Sequence, residues 1–351
     1  MKKLILPLFG ILLVAFLVRV SLDAGVWRDL QWQAYGQCEQ VEGPVGAEDI
    51  TVHAASGIAY IGADDRRAYL IHGDQQATPN GGIWSLDLKQ PNSAPILMSH
   101  DLEGVFHPHG ISLLDTGSRL LLYVVNHLSA EQHEIDVFEI VSPTQLVLQK
   151  RITYDALISP NDIYVVAEDR FYVTNDHANP RHTLMEKVED YLGLPIASVS
   201  YYDGNSGSIV IDGLQYPNGI VVSPDGKWLL VGETTRRSLT RFERGASASE
   251  WRFKDRINIE SGIDNLEWID DRTLLTAAHP KIFDFMRHSH DPEALAPSEV
   301  IRIELSEQGM DAKTIMLDDG SLLSGSSVAA LYQDQLLVGS VFEPHFLRCR
   351  P

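Results

Sequence analysis

A six-fold internal repeat constrains this chain more than any other feature. The copies begin at Glu48, His109, Asn161, Asn218, Asp264 and Ser326, spaced 61, 52, 57, 46 and 62 residues apart. Each opens on a pair of mostly polar or small residues and runs into a stretch rich in Val, Ile, Leu and Tyr. It then turns and enters a second such stretch, and turn signals such as Asp115-Thr116-Gly117 and Pro224-Asp225-Gly226 separate the two. That is one β-hairpin per repeat. The remainder of each period has room for two more strands, for example Ser208–Ile211, Leu239–Phe242 and Glu299–Ile303. Four strands in each of six repeats predict an all-β fold, a six-bladed β-propeller. One helix pattern stands out, Thr183 to Leu192, with Leu184, Val188 and Leu192 on one face and charged residues between them.

In a propeller the innermost strands line a central channel, so equivalent positions converge on the axis. The first residues of the six pairs are Glu48, His109, Asn161, Asn218, Asp264 and Ser326; the second are Asp49, Gly110, Asp162, Gly219, Asn265 and Ser327. Buried carboxylates without a counter-charge are costly, and a bound cation removes that cost. Glu48, Asn161, Asn218, Asp264 and Asn265 offer oxygen donors without thiolate, a set that favours Ca2+ over zinc or copper. Asp49 and Asp162, with a backbone carbonyl at Ile111, make a second calcium site. The competing reading of Asn-Asp and Asp-Asn pairs is turn formation. It suits one pair better than several pairs at one repeat position.

The ends of the chain carry different signals. Lys2 and Lys3 precede an apolar run from Leu4 to Val18, followed by Arg19. This reads as an export signal, either cleaved or retained as a membrane anchor through residues 4–18. Residues 1–24 are therefore set apart from a propeller domain over 25–351, and an exported protein, extracellular or periplasmic, is expected. Cys38 and Cys349 are the only cysteines. In an oxidising compartment two such cysteines are expected to pair, and a bridge between them would latch the ring where its ends meet. With 28 Lys+Arg against 48 Asp+Glu, the net charge of −20 argues against a nucleic-acid partner, which needs a basic surface.

An ordered set of short segments runs from Gly46 to Ile50, Phe106 to Ser112, Tyr123 to His127, Asn161 to Ile163, Thr174 to His177 and Asn218 to Ile220. Ser223 to Lys227, Asp264-Asn265, Ala278 to Pro280, Glu299 to Arg302, Gly339 to Phe342 and the two end cysteines continue the set. In this order the segments resemble the paraoxonases, calcium-dependent arylesterases and lactonases within the gluconolactonase-like six-bladed propellers. The resemblance implies two calcium ions. The catalytic one would lie on Glu48, Asn161, Asn218, Asp264 and Asn265. The structural one would lie on Asp49, Asp162 and the Ile111 carbonyl. It makes His109 and His127 a pair over the catalytic ion and His279 a further active-site histidine. It also implies a retained N-terminal segment in contact with lipid, a membrane or a lipid particle. The stretch Arg66 to Gly82 departs from the family pattern, and Tyr216 takes the place of a pocket phenylalanine.

The reaction expected is hydrolysis of a small-molecule lactone or aryl ester. Calcium would polarise the carbonyl oxygen while His109, oriented by His127, activates water. Asp264 competes as base or nucleophile, and Asp176 and His177 support the site from behind. His107 reads as structural or exposed. No Gly-x-Ser-x-Gly elbow is present, which argues against a serine hydrolase. Two other readings stay open, a calcium-stabilised propeller that only binds a ligand or protein, and a sugar-lactone hydrolase. Oligomeric state is not legible.

Overall fold

The computed structural model describes residues 2–72, 78–181 and 183–351. Six four-stranded antiparallel sheets follow one another around an axis. Five of them are built from consecutive strands. In the second blade, for example, Pro108–Asp115 is innermost and Leu120–His127, His133–Ser142 and Gln145–Ile152 follow outward. The sixth blade takes Ser326–Tyr332, Gln335–Ser340 and His345–Arg350 from the C-terminus and its outermost strand, Gln37–Glu42, from the N-terminal side. Cys38 pairs in register with Cys349, and the two form the disulfide across this junction. The latch expected between the chain ends is thus an outer-edge feature of one blade.

Adjacent blades pack face to face through aliphatic side chains. Ile50, Ile61 and Leu86 of the first blade meet Val328, Leu337 and Phe346 of the sixth, all fully or almost fully buried. Each such side chain contributes roughly 1.5–3 kcal/mol through burial, so the six inter-blade seams hold the ring.

The inner hairpins share one irregularity. In every blade the ladder between the first and second strands breaks at the polar pair. The breaks fall between Ala47 and Asp49, Pro108 and Ile111, Pro160 and Ile163, Pro217 and Ile220, Ile263 and Leu266, and Ser326 and Ala329. A bulge frees residues from strict alternation and re-aims them. Here it lets both members of a pair leave the sheet face and turn toward the axis. The inner strands also come unusually close. A Cβ on Gly110 would lie 2.5 Å from Asp162 Cα, and one on Gly219 would lie 2.5 Å from the Asp264 carbonyl oxygen. Only glycine fits at these two second-of-pair positions.

Three helices interrupt the blades between their second and third strands. They are Arg66–His72 in the first blade, Leu184–Leu192 in the third and Ile282–His290 in the fifth. That connection lies at the same end of a blade as the start of its inner strand, so all three cap the end where the polar pairs sit. The third-blade helix matches the sequence pattern, with Thr183 as its N-cap accepting a hydrogen bond from the Glu186 N–H. The other two were not expected. The fifth-blade helix buries His288 and Ser289 and opens on Lys281, which makes no side-chain cap, so it lacks the start signal that Thr183 gives the third-blade helix. A further helix, Lys2–Asp23, precedes the propeller. Among the described residues no helix is long and apolar enough to cross a membrane. The anchor expected through residues 4–18 falls partly outside the residues whose side chains are described, and residues 73–77 of the Arg66–Gly82 stretch also lie outside the described residues.

Candidate active site

All six first-of-pair residues are buried at the capped end of the channel. The five expected oxygen donors share a second property. Glu48 Oε2, Asn161 Oδ1, Asn218 Oδ1, Asp264 Oδ1 and Asn265 Oδ1 are buried and accept no hydrogen bond. A buried acceptor left unpaired is expensive. Here five lie on inner strands of four blades, while the remaining side-chain atoms of Glu48, Asn161, Asp264 and Asn265 hold those four in place. Asn265 Nδ2 donates to Glu48 Oε1 at 2.9 Å and to the Glu48 carbonyl at 3.1 Å. Asn161 Nδ2 lies 3.3 Å from Asp176 Oδ2, and Asp264 Oδ2 lies 2.8 Å from His279 Nε2. Neutral and anionic oxygens fixed this way suit a hard divalent cation. Among the described residues no group of three or more His, Cys, Asp and Glu gathers as a metal cluster; three of these five donors are carboxamides. Ser326 is not an orphan, since its Oγ turns back to the Ala278 carbonyl at 3.5 Å.

Burial pushes the Glu48 carboxyl up to about 7, with Arg66 pulling against it and Asp264 adding to it. Arg66 Nη2 lies 3.6 Å from Glu48 Oε2 and donates to the Pro108 carbonyl at 2.9 Å. Below the ring, burial also pushes Asp49 and Asp162 well above the usual carboxylate range. Their oxygens accept backbone N–H groups. Ile111 donates to Asp49 at 2.7 Å, and Ile163 and Ile220 donate to Asp162 at 2.7 and 2.8 Å. These two carboxylates are held by main-chain N–H groups, Ile111 and Ile220 from the inner strand of the next blade and Ile163 from the same strand, unlike the ring above them.

His109 Nε2 faces the ring, 3.6 Å from Glu48 Oε1. Its Nδ1 is 2.9 Å from His127 Nε2, so the expected histidine pair is in direct contact. The row continues beyond the sequence reading, with His127 Nδ1 lying 2.9 Å from His133 Nδ1. His127 and His133 are opposite each other across the second-to-third-strand hairpin. Two histidines flanking a five-residue loop were the available signal. Burial, first of all, lowers His109 and His127 well below the usual imidazole range and His133 to about 4. The row is therefore neutral at pH 7.

On the far side, His177 Nδ1 is 2.8 Å from Asp176 Oδ1 and its Nε2 is 2.9 Å from Asp190 Oδ1 on the third-blade helix. Against the penalty of burial, Asp176 and Asp190 raise His177 to about 10. Arg181, absent from the sequence reading, donates to Asp176 at 3.0 Å, and with His177 it holds that carboxyl well below its usual range despite burial. His279 stacks on Phe285 of the fifth-blade helix with ring centres 3.9 Å apart. Tyr216 packs edge-on to His177 at 5.0 Å from a backbone φ of +50°, an uncommon conformation for an aromatic residue. His107 is buried with Nδ1 3.0 Å from Asp64 and acts in the fold.

The Arylesterase family matches residues 45–350. Serum paraoxonase/arylesterase 2 from Gallus gallus is 32% identical over 330 residues, spanning 90% of this chain and 89% of that protein. Serum paraoxonase/lactonase 3 from Oryctolagus cuniculus is 31% identical over 356 residues, spanning 97% of each. Among solved structures, the calcium-binding protein regucalcin from Agrobacterium tumefaciens superposes with a TM-score of 0.53 over 90% of this chain and 93% of its own, at 16% identity, a likeness of fold alone. The ordered motifs, the closed six-bladed ring and near full-length similarity to the paraoxonases agree: the chain belongs to the arylesterase, or paraoxonase, family.

Proposed function

We propose that this protein is a calcium-dependent hydrolase of lactones and aryl esters. The observation that carries the reading is the coincidence of the five expected ligands with five buried oxygens that accept no hydrogen bond. Relatives named as arylesterases and lactonases supply the reaction class. A calcium ion held by Glu48, Asn161, Asn218, Asp264 and Asn265 would supply Lewis-acid stabilisation of the carbonyl oxyanion. Asp49, Asp162 and the Ile111 carbonyl would hold a second, structural ion, a role supported by the burial of two carboxylates.

The protein's own groups do the proton work. Burial keeps His109 neutral, the state required of a base, and its Nε2 points at the ring. It takes the proton from the attacking water, and His127 accepts the His109 Nδ1–H and fixes the ring plane. The same imidazolium then protonates the departing alkoxide or phenoxide. His279 holds Asp264 in orientation. The ring donors and His109 are buried at the end of the channel that the three helices cap.

The N-terminal segment and the serum relatives favour an exported protein. The third-blade helix exposes Leu184, Tyr191 and Leu192, and the helix before the propeller exposes Leu13, Val14 and Leu17. Arg19 of that helix reaches to 3.9 Å from where a Cβ on Gly193 would lie, so the two apolar surfaces share the capped face. This face suits contact with a membrane or lipid particle, tested by co-sedimentation with neutral vesicles.

The functional test is a turnover screen over aliphatic lactones, sugar lactones and phenyl esters, with and without chelator. Calcium-dependent turnover abolished in Asn161→Ala and His109→Gln is the expected result. Preference for sugar lactones would move the reading to a gluconolactonase-type enzyme. No turnover with calcium present would leave a binding propeller.

A further inference from the structure

We propose that His133 is a positioning residue that fixes the tautomers of His127 and His109 and so leaves the Nε2 lone pair of His109 facing the oxygen ring. This rests on the reading of His109 as the base. Three neutral imidazoles carry three N–H groups, one each. The two contacts at 2.9 Å, His109 to His127 and His127 to His133, need one N–H apiece. The third N–H must sit at one end of the row, either on His109 Nε2 or on His133 Nε2. Each of the other six arrangements crowds two protons into a contact or leaves a contact with none, so the row has only two states that satisfy both contacts.

The surroundings differ at the two ends. At His109 the nearest carboxylate oxygen, Glu48 Oε1, is 3.6 Å away and already accepts from Asn265 Nδ2 at 2.9 Å. The Arg66 guanidinium, 3.6 Å from the other oxygen of Glu48, adds positive charge there, which favours a lone pair over an N–H. At the other end His133 Nε2 is buried and makes no hydrogen bond, and the main-chain group acting on the ring is Ile158. The Ile158 N–H is committed to Asn175 Oδ1 at 2.9 Å, which leaves its carbonyl oxygen to face the imidazole. A carbonyl favours an N–H opposite it. The third proton therefore belongs on His133 Nε2. His133 Nδ1 then accepts from His127 Nδ1–H, His127 Nε2 accepts from His109 Nδ1–H, and His109 Nε2 is bare. His133 never touches substrate; it selects which of the two states the pair adopts.

Long-range 15N–1H spectra of the histidine-labelled wild-type protein read the tautomers directly, without any substrate. The expected pattern is Nδ1–H for His109 and His127 and Nε2–H for His133; an Nε2–H on His109 overturns the proposal. His133→Leu removes the acceptor, while His133→Asn returns an amide oxygen near the position of Nδ1. With an aryl ester, His133→Leu should lower kcat by about 10–100-fold at nearly constant KM, a part of what a general base provides, and His133→Asn should recover most of it. A Leu variant with native kcat, or an Asn variant as impaired as Leu, also overturns it. Should the Leu variant fail to fold, the wild-type spectrum decides. If the wild-type protein hydrolyses no ester, the hydrolase reading fails while the spectrum still tests the row.

Discussion

His279 Nε2 lies 2.8 Å from Oδ2 of Asp264, and the other oxygen of the same carboxylate, Oδ1, is buried with no hydrogen-bond partner. One contact thus divides the group into an oxygen used for orientation and an oxygen left for the ring. The imidazole is itself held by stacking on Phe285. Groups that orient a metal-binding carboxylate typically cost about 10–100-fold in metal affinity when removed. His279→Ala should weaken calcium binding by that amount, read by competition with a fluorescent chelator. Asp264→Asn, which keeps the shape and removes the charge, should weaken it further. Unchanged affinity in His279→Ala would detach this histidine from the ring.

Removing calcium should destabilise the whole propeller and not one loop, because the five donors come from inner strands of four blades. A ligand bound only to the folded state adds about 4 kcal/mol at a thousand times its dissociation constant. Urea unfolding across a calcium series should follow that dependence, and chelator should shift the single transition to lower urea. A midpoint indifferent to calcium would contradict both proposed ion sites.

The ring was legible in the sequence because a repeat converts spacing into convergence. Glu48 and Asp264 are 216 residues apart, yet their place in the period puts both at the axis. The bulges were not legible. They are backbone events that only the strand register exposes, and they explain how Asp264 and Asn265, adjacent in sequence, both serve the ring. Arg181 sits in a connection with no periodicity, so nothing in the chain pattern points it at Asp176. His133 depends on a hairpin register of single-residue accuracy, because a slip by one residue would send it to the opposite face. The fifth-blade helix escaped because Lys281 at its start offers no side-chain cap of the kind Thr183 supplies in the third blade.

The latch and the ring are separable. Strand Gln37–Glu42 is the outermost of its blade, while the donors lie on innermost strands. Replacing both Cys38 and Cys349 by Ser opens a loop of 311 residues. The loss of a native disulfide of this kind costs about 2–5 kcal/mol. The double variant should unfold at lower urea by that margin and keep wild-type calcium affinity in the folded state. A drop in affinity of tenfold or more would mean that edge closure strains the axis.

Stability above neutral pH should report on His177. Its two ring nitrogens lie 2.8 Å from Asp176 and 2.9 Å from Asp190, and these carboxylates raise it to about 10 in the folded protein. In the unfolded chain the imidazole titrates near 6.5. The contribution is therefore fully present below about 6.5 and is lost as the pH rises through about 10. Between these values unfolding releases one proton, which lowers stability by about 1.4 kcal/mol per pH unit for this group. Urea unfolding at pH 7, 8 and 9 should show that slope in the wild-type protein. His177→Gln, which keeps hydrogen-bonding capacity without the charge, should lack it, so the difference between the two curves should narrow as the pH rises. Parallel curves would mean that His177 is neutral between its two carboxylates. The third-blade helix would then be held to the ring by hydrogen bonds alone.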